Sequence, residues 1–141
     1  MRNAIRWMPC VLWMAVIFLL SGRTSDDMNT ILPFFQWFLP AMQSFDWGHF
    51  VAYFILALTF VWGIGGERPA PLMKLAAVGL CLLYGLSDEY HQSFVPGRMP
   101  DIYDIRNDVI GATIAMLVLS IPFVKSTYSA LYRKLLPSTK Y

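Results

Sequence analysis

DWGHFVAYFILALTFVWGI, residues Asp46 to Ile64, decides the fold of this chain. Beyond His49 it carries no charged side chain. The run from Trp47 to Ile64 approaches the roughly 20 residues that an α-helix needs to cross the hydrocarbon core of a bilayer. A helix on the surface of a soluble domain keeps one polar face. This one is apolar all round, so its natural surroundings are lipid and other apolar helices. The rest of the chain agrees. Of its 141 residues 57% are hydrophobic and 14% charged, with a mean hydropathy of +0.50, whereas a soluble domain carries roughly 25% charged residues. A chain of this length has room for one domain. Folded in water, it would have too little polar surface to cover its apolar mass. The predicted class is an all-α integral membrane protein forming a single domain over residues 1–141.

Three more apolar runs flank the first: Ala4–Leu20, Leu72–Leu86 and Val109–Val124. Together they predict a four-transmembrane-helix bundle with helices at about 4–20, 47–64, 72–90 and 107–124, followed by a cytoplasmic tail over 125–141. Pro9 and Pro122 fall near helix ends, where a missing donor matters little. The first run has Arg2 and Arg6 before it, as a signal peptide would. It is longer than the usual signal-peptide core, however, and LLSGRTS lacks an A-x-A-like cleavage site, so an uncleaved helix is expected. Counting lysine and arginine orients the bundle. Arg2, Arg6, Arg68, Lys74, Lys125, Arg133, Lys134 and Lys140 fall on one side, and Arg23, Arg98 and Arg106 on the other. The positive-inside rule then predicts N-in and C-in. ILPFFQWFLP, Ile31–Pro40, reads as a short interfacial segment of the first outer loop, or as a lid. In the tail, Tyr128, Leu131, Tyr132 and Leu135 form one stripe of a short interfacial helix with basic neighbours. Cys10 and Cys81 lie in apolar runs without a second cysteine nearby and read as small core residues. No CxxC, Cys/His zinc spacing or Gly-rich phosphate loop is present.

Against this oily background one stretch stands out. SDEYHQSFVPGRMPDIYDIRNDVIG, Ser87–Gly111, holds five of the chain's nine acidic residues. The predicted topology carries it to the same outer end as Asp46 and His49. Helical spacing aligns the groups further. Asp46, His49 and Tyr53 share a face, and so do Glu89 and Gln92. Asp101, Asp104, Asp108, Gly111 and Ala115 form one stripe, acidic above and small below. The small residues predict close approach of a neighbouring helix. VPGR is a turn that presents Arg98. Plainer roles compete: Asp46 as cap of the second helix, Asp108 or Asn107 as cap of the fourth, and Arg98 pairing with Asp104. His49 could be a satisfied interfacial histidine, and Asp88, Asp101 and Arg106 solvated loop charges. Ionisable groups at membrane depth generally have partners and a purpose. Their concentration at one rim points to a binding or catalytic site.

The pattern resembles the VanZ-like family of small bacterial membrane proteins, whose namesake is associated with resistance to the glycopeptide teicoplanin. The likeness begins with FLLSGR at the end of the first helix and continues through DWGHFVAY. It is strongest in SDEYHQSFVPGRMPDIYDIRNDVIGA, which is similar to the family's D-E-x-x-Q-x-F-x-P-G-R followed by D-x-x-x-[ND]-x-x-G. It runs from Leu19 to about Leu119. Carried over position by position, the family's polar residues fall on Asp46, His49, Tyr53, Glu89, Gln92, Arg98, Asp104, Asp108 and Gly111. Family members often have Asn where this chain has Asp108, with Asn107 one place earlier. The resemblance implies a multi-pass protein of the bacterial inner (plasma) membrane with a link to the cell envelope. It does not supply a reaction.

Two functional readings follow. In the first the rim acts on an anionic lipid-linked or glycolipid envelope component. Glu89, His49 and Asp104 are then the catalytic groups, and Arg98, Gln92, Asp46, Asp108 and Tyr53 bind the substrate. Arg98 would clamp phosphate or carboxylate with fixed-geometry charge-assisted bonds. Glu89 or Asp104 would serve as general acid or base, and His49 would shuttle a proton. In the second reading the same rim binds a lipid-like molecule, or scaffolds envelope proteins, without chemistry. A transporter fits less well, because four short helices leave little room for a pathway without oligomers. The expected partners are the lipid bilayer and an amphipathic or lipid-linked small molecule, not nucleic acid. No cofactor is indicated. The spacing matches no named metal motif, although two histidines and several carboxylates offer donors.

Overall fold

The computed structural model describes residues 2–24, 27, 30, 33–34, 37 and 46–136. Most of the Ile31–Pro40 segment, the end of the tail and the Asp46 side chain lie outside the described residues, and so do the roles suggested for them. Among the described residues there are five helices and no strand. They are α1 (Arg2–Ser21), α2 (Asp46–Ile64), α3 (Pro71–Gln92), α4 (Ile102–Val118) and α5 (Pro122–Leu135).

Local sequence sets the boundaries. Ala70 is extended and Pro71 opens α3, where an absent N–H leaves nothing unsatisfied. Asp101 caps α4, its side chain accepting from the Tyr103 N–H at 2.8 Å. The fourth helix therefore starts earlier than the expected residue 107. Asp108 lies inside it and is not a cap, and neither is Asn107. This helix also stops at Val118, not near 124. Ile121 is extended, Pro122 opens α5, and the two helices meet at an 87° bend.

α2 is the central element, packed against α1, α3 and α4, with α4 also against α3. Its Tyr53, Leu56, Ala57, Phe60 and Val61 are buried, together with Cys10 and Ile17 of α1, Ala77 and Cys81 of α3, and Ala112, Ala115 and Met116 of α4. The tightest crossing is between α2 and α4. A Cβ on Gly111 would overlap the Phe50 carbonyl oxygen, so only glycine lets the two backbones approach this closely. The small lower half of the α4 stripe thus works as its spacing predicts. The polar tips of core aromatics end on backbone carbonyls: Trp13 Nε1 donates to Ala52 at 2.8 Å, and Tyr84 Oη to Met14 at 2.7 Å. This is how amphipathic rings are satisfied where water is scarce.

Outward faces are apolar as well. Val11, Leu12, Leu72, Leu75, Leu83 and Leu117 are all exposed, a distribution suited to lipid and unsuited to water. α2 and α3 are long and apolar enough to cross a membrane. α4 and α5 together count as a third span only if the bent pair is taken as one, and the apolar part of α1, Ile5–Ser21, is shorter. Two or three spans are supported, where the sequence suggested four.

The end of the bundle that carries Arg6 is closed by α5. Arg6 Nη1 donates to Tyr132 Oη at 3.2 Å, Ser129 Oγ to the Glu67 carbonyl at 2.7 Å, and Arg133 pairs with Glu67 at 2.6 Å. Trp62 packs edge-on against Tyr132, with centroids 5.0 Å apart. Tyr132 and Ser129 face inward, whereas Leu131 and Leu135 of the predicted stripe are exposed. Beside them an apolar groove of about 510 Å³ runs between α5, α1 and α2, lined in part by Pro9, Ile55, Trp62 and Phe123.

Candidate functional site

The opposite end collects the acidic side chains. α2 begins with Asp46 and turns His49 inward, where the first turns of α4 meet it. His49 Nδ1 lies 2.9 Å from Asp108 Oδ1, and Nε2 lies 3.5 Å from Asp104 Oδ2. Asp104 and Asp108 are one turn apart, so a single imidazole spans both. One helical turn below, Tyr53 lies nearly parallel to His49, with centroids 6.4 Å apart. Gly85 of α3 makes room for this arrangement: a Cβ there would sit 2.7 Å from Asp108 Oδ2 and 3.6 Å from the Tyr53 ring.

The last turns of α3 bring the remaining acids. Asp88 is buried and accepts from Ser21 Oγ at 2.6 Å and from Gln92 Nε2 at 3.2 Å. It is therefore an internal joint between α1 and α3, not the solvated loop charge that the sequence suggested. Glu89 is also buried. Its Oε2 accepts the Asp101 backbone N–H at 2.7 Å. Among the described residues its Oε1 has no hydrogen-bond partner, and neither does the buried Tyr53 Oη. Asp88, Asp104 and His49 are within electrostatic reach of Glu89, and Asp88 and Asp104 also act on Asp108. The acids thus form one field rather than separate surface charges.

Arg98 and Arg106 have partners other than the clustered acids. Arg98 follows a turn closed by its own N–H on the Val95 carbonyl, 3.1 Å. Its Nε donates to the Arg23 carbonyl at 3.3 Å, in place of the suggested pair with Asp104. Arg106 lies over the Tyr103 ring, 4.9 Å away, and bonds Asn107 Oδ1. Of the sequence-predicted site residues, His49, Asp104, Asp108, Tyr53 and Glu89 share the cluster, and Gln92 joins it through Asp88. Arg98 borders it from the loop that the Glu89–Asp101 bond ties off.

One participant escaped the sequence reading. Ser21 lies within hydrogen-bond reach of both Asp88 and His91, at 2.6 and 3.5 Å. The signal was FLLSGR, a hydroxyl placed where an apolar helix gives way to a turn. His91 itself stacks on Phe18 with centroids 4.1 Å apart. Among the described residues no group of three His, Cys, Asp or Glu side chains has the arrangement of a metal site.

The VanZ/LLP1 family profile matches residues 6–124, nearly the whole helical bundle. This chain belongs to the VanZ/LLP1 family. The matched segment includes every described site residue of the VanZ/LLP1 cluster and stops at the start of α5. A protein of Schizosaccharomyces pombe described as uncharacterized is 32% identical over 71 residues, covering 50% of this chain and 43% of that protein. The chain thus spans less than half the length of the curated relative it matches. No solved structure matches. With its family and its apolar helices, the chain is a membrane protein.

Proposed function

We propose that this protein binds the phosphate-bearing headgroup of a lipid or lipid-linked envelope component at the outer face of the bacterial inner membrane and performs acid–base chemistry on it. The carrying observation is His49, with a carboxylate facing each ring nitrogen. A neutral imidazole has one N–H, so both ring nitrogens can donate to the facing carboxylates only when the Asp104–His49–Asp108 set takes up an extra proton. That proton is available for transfer. Glu89 is the second acid–base group, through Oε1. Arg98 clamps the phosphate, a task suited to a planar guanidinium. Gln92, Tyr53 and Asp108 shape the rest of the site.

A lipid-borne ligand is favoured by what surrounds the acids. Phe18, Leu86, Tyr90, Phe94, Met99 and Ile102 are all exposed there, an apolar collar that a water-soluble substrate would not need. Altered glycopeptide susceptibility would follow from altered envelope composition. The test is lipid and glycan profiling of a deletion strain complemented with wild type, His49→Asn or Arg98→Ala. Wild type is expected to restore the profile, and both variants to leave the unprocessed component accumulated. Equal restoration by all three would remove the site from the function.

A non-enzymatic binder is the second reading. It is favoured by the commitment of Ser21 Oγ to Asp88 and by the burial of both cysteines, so that neither the Ser21 hydroxyl nor the two thiols are displayed as nucleophiles. Incubation of purified protein with membrane lipids separates the two readings: an enzyme changes the mass of a lipid, and a binder only retains one.

A further inference from the structure

A phosphate ligand alone leaves the site unexplained. The carboxylates of Asp88, Glu89, Asp104 and Asp108 crowd one end of the bundle with His49 among them, and Asp88, Glu89 and Asp108 are each at most 5% exposed. Such a field repels a purely anionic headgroup. Yet two buried polar atoms there lack partners among the described residues, Glu89 Oε1 and Tyr53 Oη. A buried acceptor without a donor is costly, and Tyr53, 1% exposed, has a hydroxyl that also lacks a partner among the described residues at this end of the bundle. Its ring borders Asp108 Oδ2 across Gly85 and feels the charges of both Asp108 and Asp88. The cluster therefore needs positive charge and N–H donors. A primary ammonium has three donors and no acceptor.

The cation of the loop is at hand as well. Arg98 lies in the segment that leaves α3 and returns to Glu89, where the Asp101 N–H closes it. One loop thus joins a guanidinium to the acid cluster. A headgroup that carries both a phosphate and an ammonium offers a partner to each. Building on the proposed phosphate site, we infer that the ligand is a zwitterionic aminophospholipid: Arg98 takes the phosphate, and the acid cluster, through Glu89, takes the primary ammonium.

The experiment uses the purified full chain, delipidated in detergent and titrated with lipids of identical acyl chains, with bound lipid counted by native mass spectrometry. Phosphatidylethanolamine supplies phosphate and N–H donors, phosphatidylcholine a quaternary cation without N–H, and phosphatidylglycerol phosphate alone. Wild type is expected to prefer phosphatidylethanolamine by about tenfold over both others, equivalent to about 1.4 kcal/mol. Glu89→Gln, which keeps an acceptor for the Asp101 N–H, should erase that preference, because it removes the partner of the ammonium and relieves the repulsion felt by phosphatidylglycerol. Arg98→Ala should weaken all three. If phosphatidylglycerol binds as well as phosphatidylethanolamine and still depends on Arg98, the ammonium assignment is wrong and the phosphate site stands. If no lipid depends on Arg98, both are wrong. Equal competition by chain-free phosphoethanolamine would overturn the lipid assignment.

Discussion

The two ends of this bundle are both polar, and they differ in how charge is arranged. At the Arg6 end, opposite charges and neutral groups are matched: Arg133 with Glu67, Arg6 with Tyr132, Lys74 with Ser120 at 2.7 Å, and Ser129 with a backbone carbonyl. At the His49 end two carboxylates flank one imidazole, and two further buried carboxylates, Asp88 and Glu89, lie beside them. A matched joint holds helices together. A surplus of one sign, held in place by packing, is a cost that folding alone does not explain. Under the proposed function, the contrast separates a structural closure from a binding site.

Substitutions put this contrast at risk in graded steps. The largest effect is expected at the crossing beneath the site. Gly111→Leu drives a side chain into the Phe50 backbone and should cost about 3 kcal/mol or prevent recovery of folded protein, seen in thermal unfolding in detergent. Next comes Asp108→Ala, which strands His49 Nδ1 without its acceptor and should cost about 2 kcal/mol. Adding His49→Ala should recover part of that loss, because the stranded group is gone, and a double-mutant cycle measures the recovery. Strict additivity would mean that His49 and Asp108 are not coupled. Ser21→Ala removes one of two bonds to Asp88, for about 1 kcal/mol in the same assay. Smallest is Arg133→Ala at the matched end. Both partners of that ion pair are substantially exposed, and the change should stay within about 0.5 kcal/mol. A larger loss from Arg133→Ala than from Asp108→Ala would reverse the assignment of the two ends.

Much of this was legible in the sequence, for physical reasons. Apolar runs report helices that face lipid. The 3, 4, 3, 4 spacing through Asp104, Asp108, Gly111 and Ala115 reports a shared face, and these four side chains or Cα positions do turn inward together. The break after α4 was hidden because VLSIPFV is apolar throughout, and hydropathy does not register a change of chain direction. Pro122 was the available sign, read as the end of one helix when it begins another. The capping role passed from Asp108 to Asp101 because an Asp in either place makes a plausible cap, and only three-dimensional pairing shows that Asp108 is held by His49. The Ser21–Asp88 bond joins residues far apart in the chain, which periodicity within a segment cannot reveal.

The right-angle bend between α4 and α5 has a geometric consequence for the far end. If α4 stands along the membrane normal, α5 lies flat against one surface and acts as a stop. The distance from that stop to Glu89 is then a fixed length of protein, since the 22 residues of α3 span about 33 Å. A rod of set length measures the bilayer it stands in, so thickening or thinning the membrane raises or lowers the acids relative to the opposing leaflet. Under the proposed function, access to the cluster would then depend on acyl-chain length as well as on headgroup chemistry.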